Sequence, residues 1–351
     1  MPTKEIDLIV EQSSRKLLQI SIPPVRYWLL TQVLEKSRKD ALLSKTALEC
    51  TNFSPKTKLL GKMKPDGTWP IAKNRKLAEE AGPGPPIGWT YRTMLWNLFT
   101  LAEYNASREE GYIDESLRLL LKWQNQEGYI PGPWTDVFPL PYFNGYALHL
   151  LHRFGLWREN GVRRLSQWLL SIQRFDGGWN IPYVMDMHYL PEYKGMRMRD
   201  FVELLRRTDR STIDLGKFTQ FPSSPYATMV VLWGLMLDQR LADSDAVKRG
   251  ADFVLDRFFK KNPHSSYYMT EDHWTKLRYP YRFGSGLHAL DILTKIGYGA
   301  DDPRMDRPIK WLLESRSADG LWTQYNRPHA EKDQWITLIA LRILHRYSRS
   351  A

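Results

Sequence analysis

The sequence predicts an all-α protein: a ring of five to six helical hairpins, with an inner and an outer layer of helices. Three observations carry that expectation. One unit recurs along the chain. Residues 311–322 read as a helix end, an Asp-Gly turn and then a tryptophan; residues 168–179 repeat it, residues 123–129 form a third copy, and residues 65–69 keep only the turn. Such a unit buries its apolar face only against its neighbours, which favours one closed array over separate domains. Helices of two characters also alternate. Those following a turn, at 91–104, 143–154, 226–237, 283–296 and 334–347, are apolar nearly all round. Those preceding a turn, at 113–124, 162–173, 245–259 and 305–315, keep a polar face. A helix apolar on all sides belongs inside and an amphipathic one outside. Finally, almost no stretch shows the period-two alternation of a half-buried strand.

In chain order, residues 5–20 place Ile6, Ile9, Val10, Leu17, Leu18 and Ile20 on a moderately amphipathic helix that Pro23-Pro24 ends. Residues 25–34 form a second apolar helix and residues 40–61 a weaker helical pattern. Residues 1–62 thus close the ring within a single domain spanning 1–351. Helix boundaries carry their usual residues. Asp114, and Asp243 or Ser244, are candidate N-caps, and Gly155, Gly297 and Gly299 lie just past helix ends. Two regions break the rhythm. Gly82-Pro83-Gly84-Pro85-Pro86 is a stiff connector, and residues 180–222 form an insertion long enough to be a lid or a covering loop.

The 351 residues are 42% hydrophobic and 25% charged, which suits a large core. The net charge of +11 favours anionic partners. No nucleic-acid motif or long Lys/Arg block is present, so no nucleic-acid partner is expected. A single cysteine, Cys50, excludes an internal disulfide and a Cys-rich zinc site. The N-terminus lacks the apolar core of a signal peptide, and no window approaches 18 apolar residues. A cytoplasmic protein is expected, with peripheral membrane contact left open.

The unit Trp-Leu-Leu-x-x-Gln-x-x-Asp-Gly-Gly-Trp at 168–179 resembles the QW-type repeat of squalene and oxidosqualene cyclases and the repeat of protein prenyltransferase β subunits. Both belong to the terpenoid cyclase/protein prenyltransferase α/α-toroid superfamily, and the resemblance covers roughly residues 60–350. It implies an α/α toroid whose repeat residues are staples. Gln173 with Trp179, and Gln126 with Trp134, would tie outer helices together; Arg316 replaces the glutamine in the last copy.

The chemistry the resemblance implies is only partly present. Class II terpene cyclases protonate an alkene with an Asp-x-Asp-Asp-Thr stretch opening an inner helix. Before Thr228 the chain reads Ser224-Pro225-Tyr226-Ala227, with no acid. Before Thr337 it reads Asp333-Gln334-Trp335-Ile336, so one acid survives and tryptophan holds the proton-donor position. Asp333 is the candidate catalytic acid. The Asp, Cys and His zinc ligands of prenyltransferases have no counterpart in register. Asp301-Asp302 and Asp243-Ser244-Asp245 read as helix caps. His149 and His152 have metal-compatible spacing but no third ligand, so neither metal nor cofactor is expected.

In a toroid the ligand lies in the central funnel near the inner helix N-termini. Those ends carry the candidate binding residues Trp89, Tyr91, Arg92, Tyr142, Tyr146, His149, Tyr226, Arg282, His288 and Trp335. Arg92 and Arg282 would clamp an anion, and the aromatic faces suit an apolar chain or a developing carbocation. The expected function is an isoprenoid- or lipid-handling protein, cyclase-like but without the standard acid motif. Its partner would be an apolar small molecule, with or without a phosphate. Two alternatives stay open: a non-catalytic binding or scaffold relative, and a carbohydrate-active toroid enzyme drawing on Asp186, Glu192, Glu271 and Asp272.

Overall fold

The computed structural model describes residues 3–71, 89–132, 139–180, 191–193, 195–197, 200, 203–204, 207, 222–262, 270–281, 284–325 and 328–350. The 82–86 connector, most of the 180–222 insertion, Trp134, Asp186, His188 and Arg282 lie outside them. Among the described residues the regular structure is all helical. The α-helices are α1 (Thr3–Ile20), α2 (Pro23–Gln32), α3 (Ala41–Thr51), α4 (Ser54–Leu60), α5 (Trp89–Glu103), α6 (Ile113–Lys122), α7 (Pro141–Arg153), α8 (Asn160–Ser171), α9 (Pro225–Leu235), α10 (Asp245–Asp256), α11 (Asp272–Thr275), α12 (Gly286–Ile296), α13 (Asp306–Glu314) and α14 (Ala330–Arg349).

The two kinds of helix differ in burial as their sequences require. All eleven residues of α9 are buried. In α6, α8, α10 and α13 the apolar residues gather on one face. The apolar helices touch in succession: α5 packs on α7, α7 on α9, α9 on α12 and α12 on α14. Helix α14 then packs on α1 and α2. The α7–α9 contact is the closest. A Cβ on Gly145 would lie 2.7 Å from the Val230 carbonyl oxygen, and one on Gly234 would lie 2.7 Å from that of Gly145. Each glycine costs an isolated helix about 1 kcal/mol; here backbone-to-backbone packing offsets it.

Caps follow local chemistry. The Ser244 hydroxyl accepts from the Val247 amide at the start of α10. Asp114 does not cap: α6 begins at Ile113 with Tyr112 in the capping position, and the Asp114 carboxylate faces Arg118 and Arg108 instead. The 40–61 pattern divides into α3 and α4, because Pro55 has no amide proton and is tolerated only in a helix's first turn. Asp302 accepts from the Arg304 amide at 2.9 Å, as a cap should.

The repeat is a set of docking joints. Gly67, Gly128, Gly177 and Gly320 have φ of 78°, 99°, 86° and 83°, so each turn needs a residue without a side chain. Every one of their carbonyls is captured. Gln124 donates to Gly128 at 2.7 Å and to Gly161 of α8 at 2.8 Å; Gln173 donates to Gly177 at 2.8 Å and to Ala246 of α10 at 2.7 Å. Ser116 of α6 donates to Gly67, and Ser13 of α1 donates to Gly320 at 2.6 Å. The expected staple residue Gln126 is therefore corrected to Gln124. The working glutamine stands four residues before the turn glycine, as Gln173 does. The following indoles are equally fixed. Trp69, Trp179 and Trp322 donate through Nε1 to the carbonyls of Leu59, Leu169 and Leu312, at 3.0, 2.7 and 2.7 Å.

Candidate functional site

Two adjacent cavities open where the apolar helices converge. The first, of about 190 Å³, is lined by Trp96, Phe99, Tyr146, Trp233, Tyr279 and Tyr281, with Thr100, Glu103, Tyr104 and Glu331 as its polar groups. The second, of about 230 Å³, lies among the later turns of the same helices. Phe99, Glu103, Trp233 and Tyr281 belong to both walls. The rings between them are stacked. Phe99 and Trp233 lie 5.0 Å apart at 11°, and Trp233 and Tyr281 lie 4.5 Å apart at 8°. His149 covers Trp233 at 3.7 Å, and His288 covers Tyr281 at 4.1 Å.

Glu103 is the last residue of α5, and three elements hold it. Tyr279 donates its hydroxyl hydrogen bond to Oε2. Trp28 of α2 donates from Nε1 to the Glu103 carbonyl at 2.6 Å. The next residue, Tyr104, donates to Glu331 of α14 at 3.1 Å. Glu103 is partly buried and lines both cavities. Burial raises it to about 7, against the opposing pull of the Tyr279 hydrogen bond and of Arg342 and Arg153. A carboxyl held there can, in chemical terms, give or take a proton near neutral pH. Burial drives His149 and His288 the other way, to about 3, so both rings are neutral at pH 7.

The candidate residues divide into groups. Tyr146 lines the first cavity; His149 and Trp335 line the second, with Trp335 stacked on Tyr279 at 5.4 Å. Tyr226 and His288 line a small crevice beside Tyr146, whose hydroxyl lies 2.9 Å from that of Tyr226. Tyr142 packs on Tyr226 at 5.6 Å. Trp89, Tyr91 and Arg92 lie apart from both cavities. Tyr91 is fully buried against Trp123, and Arg92 covers Trp89 at 4.0 Å.

Asp333 lines neither cavity. Its Oδ1 accepts from the Gln324 amide at 2.7 Å and its Oδ2 from the His329 amide at 2.8 Å, so it clasps the loop entering α14. Glu271 and Asp272 also lie outside both cavities, Asp272 pairing with Lys276.

The groups that sequence reasoning missed are Glu103, Glu331, Asp291 and Arg342. One signal could have found two of them. Glu103 ends an apolar helix and Asp291 interrupts one, and a carboxylate on an otherwise buried helix has to be paired or used.

Among the described residues, the fold and site define an all-α protein with an aromatic chamber and a carboxyl, Glu103, that burial raises toward neutrality. No family model matches the chain, and no curated protein matches it. Among solved structures, a protein from Actinoplanes aligns over 85% of this chain and 74% of its own, at 13% identity and a TM-score of 0.46. That degree of likeness supports no conclusion about activity.

Proposed function

We propose that the chain is an α/α-toroid protein that binds an apolar, isoprenoid-like molecule in the aromatic chamber, with Glu103 as its general acid–base group. The toroid reading is supported by the succession α5, α7, α9, α12, α14. Helix α14 packs on α2, and Trp28 of α2 returns to the end of α5. Ser13 of α1 receives the last turn just as Ser116 of α6 receives the first.

One observation carries the functional reading: a carboxyl raised to about 7 in the wall of a largely aromatic cavity. An acid of that strength is too weak to protonate an isolated alkene. It suits an oxygen or another basic handle on the ligand, with electron-rich rings to receive developing positive charge. The proposed chemistry is thus cyclase-like in its setting but milder in its acid. The expected site acid moves from Asp333 to Glu103.

The test is incubation with a panel of linear isoprenoids, both hydrocarbon and oxygenated, followed by mass spectrometry of bound and released species. Turnover of an oxygenated member that Glu103→Gln abolishes while binding persists supports catalysis. Full activity in Glu103→Gln removes Glu103 from the role. The stacked Phe99, Trp233 and Tyr281 fill the middle of the chamber, which favours a second reading, a non-catalytic binder. Binding without turnover across the panel selects it.

A further inference from the structure

The second cavity has an imbalance of charge. Four cations line it, Arg153, Lys295, Arg342 and Arg346, against two acids, Asp291 and Glu103. Asp291 is fully engaged. It accepts from Arg342 Nε at 2.8 Å and Arg346 Nη1 at 2.9 Å, and its side chain is only 5% exposed. Glu103 turns its carboxyl to Tyr279. Among the described residues two of the cations form no ion pair, although Arg153 feels the charge of Glu103 and Lys295 that of Asp291. Arg153 lies over the Trp28 ring at 4.5 Å and, among the described residues, donates to the Ala102 carbonyl at 3.2 Å. Lys295, in the last turn of α12 and at the rim of the cavity, makes no hydrogen bond or ion pair among the described residues.

Helix C-termini favour cations, and Arg153 and Lys295 stand at two of them. That accounts for their sign but not for their convergence on one chamber. Like charges drawn together and partly desolvated cost stability unless an anion completes the set. Trp335, Leu338, Ile339 and Met236 give the wall an apolar side, and Gln32 and His149 are further polar groups.

We infer that the second cavity is an anion subsite, which takes the phosphate or carboxylate headgroup of an amphiphilic ligand between Arg153 and Lys295. Arg342 backs the subsite, already oriented by Asp291, by Tyr281 at 2.7 Å and by Gln32 at 2.9 Å. The ligand's apolar part lies along Trp335 and Phe99 toward the first cavity. That part rests on the proposed function; the anion subsite does not.

Calorimetric titration of the full chain tests it with three probes: inorganic pyrophosphate, dodecanoate and the neutral dodecanol. Pyrophosphate is expected to bind and to compete with dodecanoate. Dodecanoate is expected to bind about ten-fold or more tightly than dodecanol, the scale of one charge-assisted hydrogen bond. The Arg153→Gln/Lys295→Gln double variant should erase that preference while its melting temperature does not fall. Lys295→Gln alone, at an exposed position, should lower the preference about three-fold. Equal binding of dodecanoate and dodecanol, or a preference unchanged in both variants, overturns the inference. Pyrophosphate binding that the variants abolish, with no binding of either chain, keeps the subsite and removes the apolar-ligand reading instead.

Discussion

Replacing Glu103 with glutamine isolates the cost of the enclosed carboxyl. Burial raises the group from 4.5 to about 7. Below the unfolded value it is protonated in both states and costs nothing. Between the two values the unfolded chain releases its proton while the folded chain keeps it. Each pH unit there removes about 1.4 kcal/mol of stability. Above the folded value both states are ionised, and the loss levels off at about 3 kcal/mol, an upper bound because the chamber admits water. The contribution is thus fully present at low pH and lost as pH rises through 7. Glutamine keeps the shape and still accepts from Tyr279, but it does not titrate. Between about pH 5 and pH 8.5 the variant should therefore gain about 2–3 kcal/mol on the wild type. Unfolding entropy of about 2.1 cal/mol/K per residue turns that into a relative gain in melting temperature of about 3–4 °C for a chain of this length. Thermal melts of both proteins across the window provide the measurement. A gap that stays constant refutes the desolvation argument, and one that narrows reverses its sign.

The repeat and the buried pair give three more expectations, each read by urea denaturation. Gly177→Ala forces a side chain onto φ 86° and sets its Cβ 2.6 Å from the Arg249 carbonyl oxygen, whereas Gly155→Ala, at φ 83°, meets nothing within 4 Å. The first should cost more than about 2 kcal/mol and the second about 1 kcal/mol, so equal costs would deny the docking role. Trp179→Phe removes the indole donor and leaves the Leu169 carbonyl unpaired at a fully buried site, a loss of about 1–3 kcal/mol. Trp157→Phe, at a position 48% exposed, is the control and should be near neutral. Asp291→Asn strips Arg342 and Arg346 of their shared carboxylate and should cost about 3–5 kcal/mol, and a neutral result would show that solvent already screens the pair.

The helical class and the joints between helices could be read from the sequence because both rest on local chemistry. A Gly-Gly-Trp turn needs a left-handed glycine and a buried indole wherever it lies, and Trp179 meets those demands within ten residues, at Leu169. Periodicity separated α9, buried on every side, from the one-sided α10 for the same reason. The register of the staple was missed by two residues. Gln126 is as polar as Gln124, and only distance from the turn glycine distinguishes them.

The acid proposed for the site could not be read in that way. Asp333 has the right residue type at the start of an apolar helix, yet two amides within ten residues of it consume both oxygens. Glu103 has no motif around it. Its hydrogen-bond partner Tyr279 lies 176 residues away, and Arg342 and Arg153, which oppose its rise, come from two other helices. A proton donor is defined by what surrounds it, and here the surroundings come from segments distant in sequence. What the sequence does carry is the exception itself: a glutamate ending a helix that otherwise buries Tyr91, Met94, Leu95, Leu98 and Leu101. A charge at such a place needs a partner or a function, and Tyr279 alone does not hold the group at its ordinary value. The carboxyl that the fold leaves near neutrality is therefore a better candidate for chemistry than the one a family motif marks.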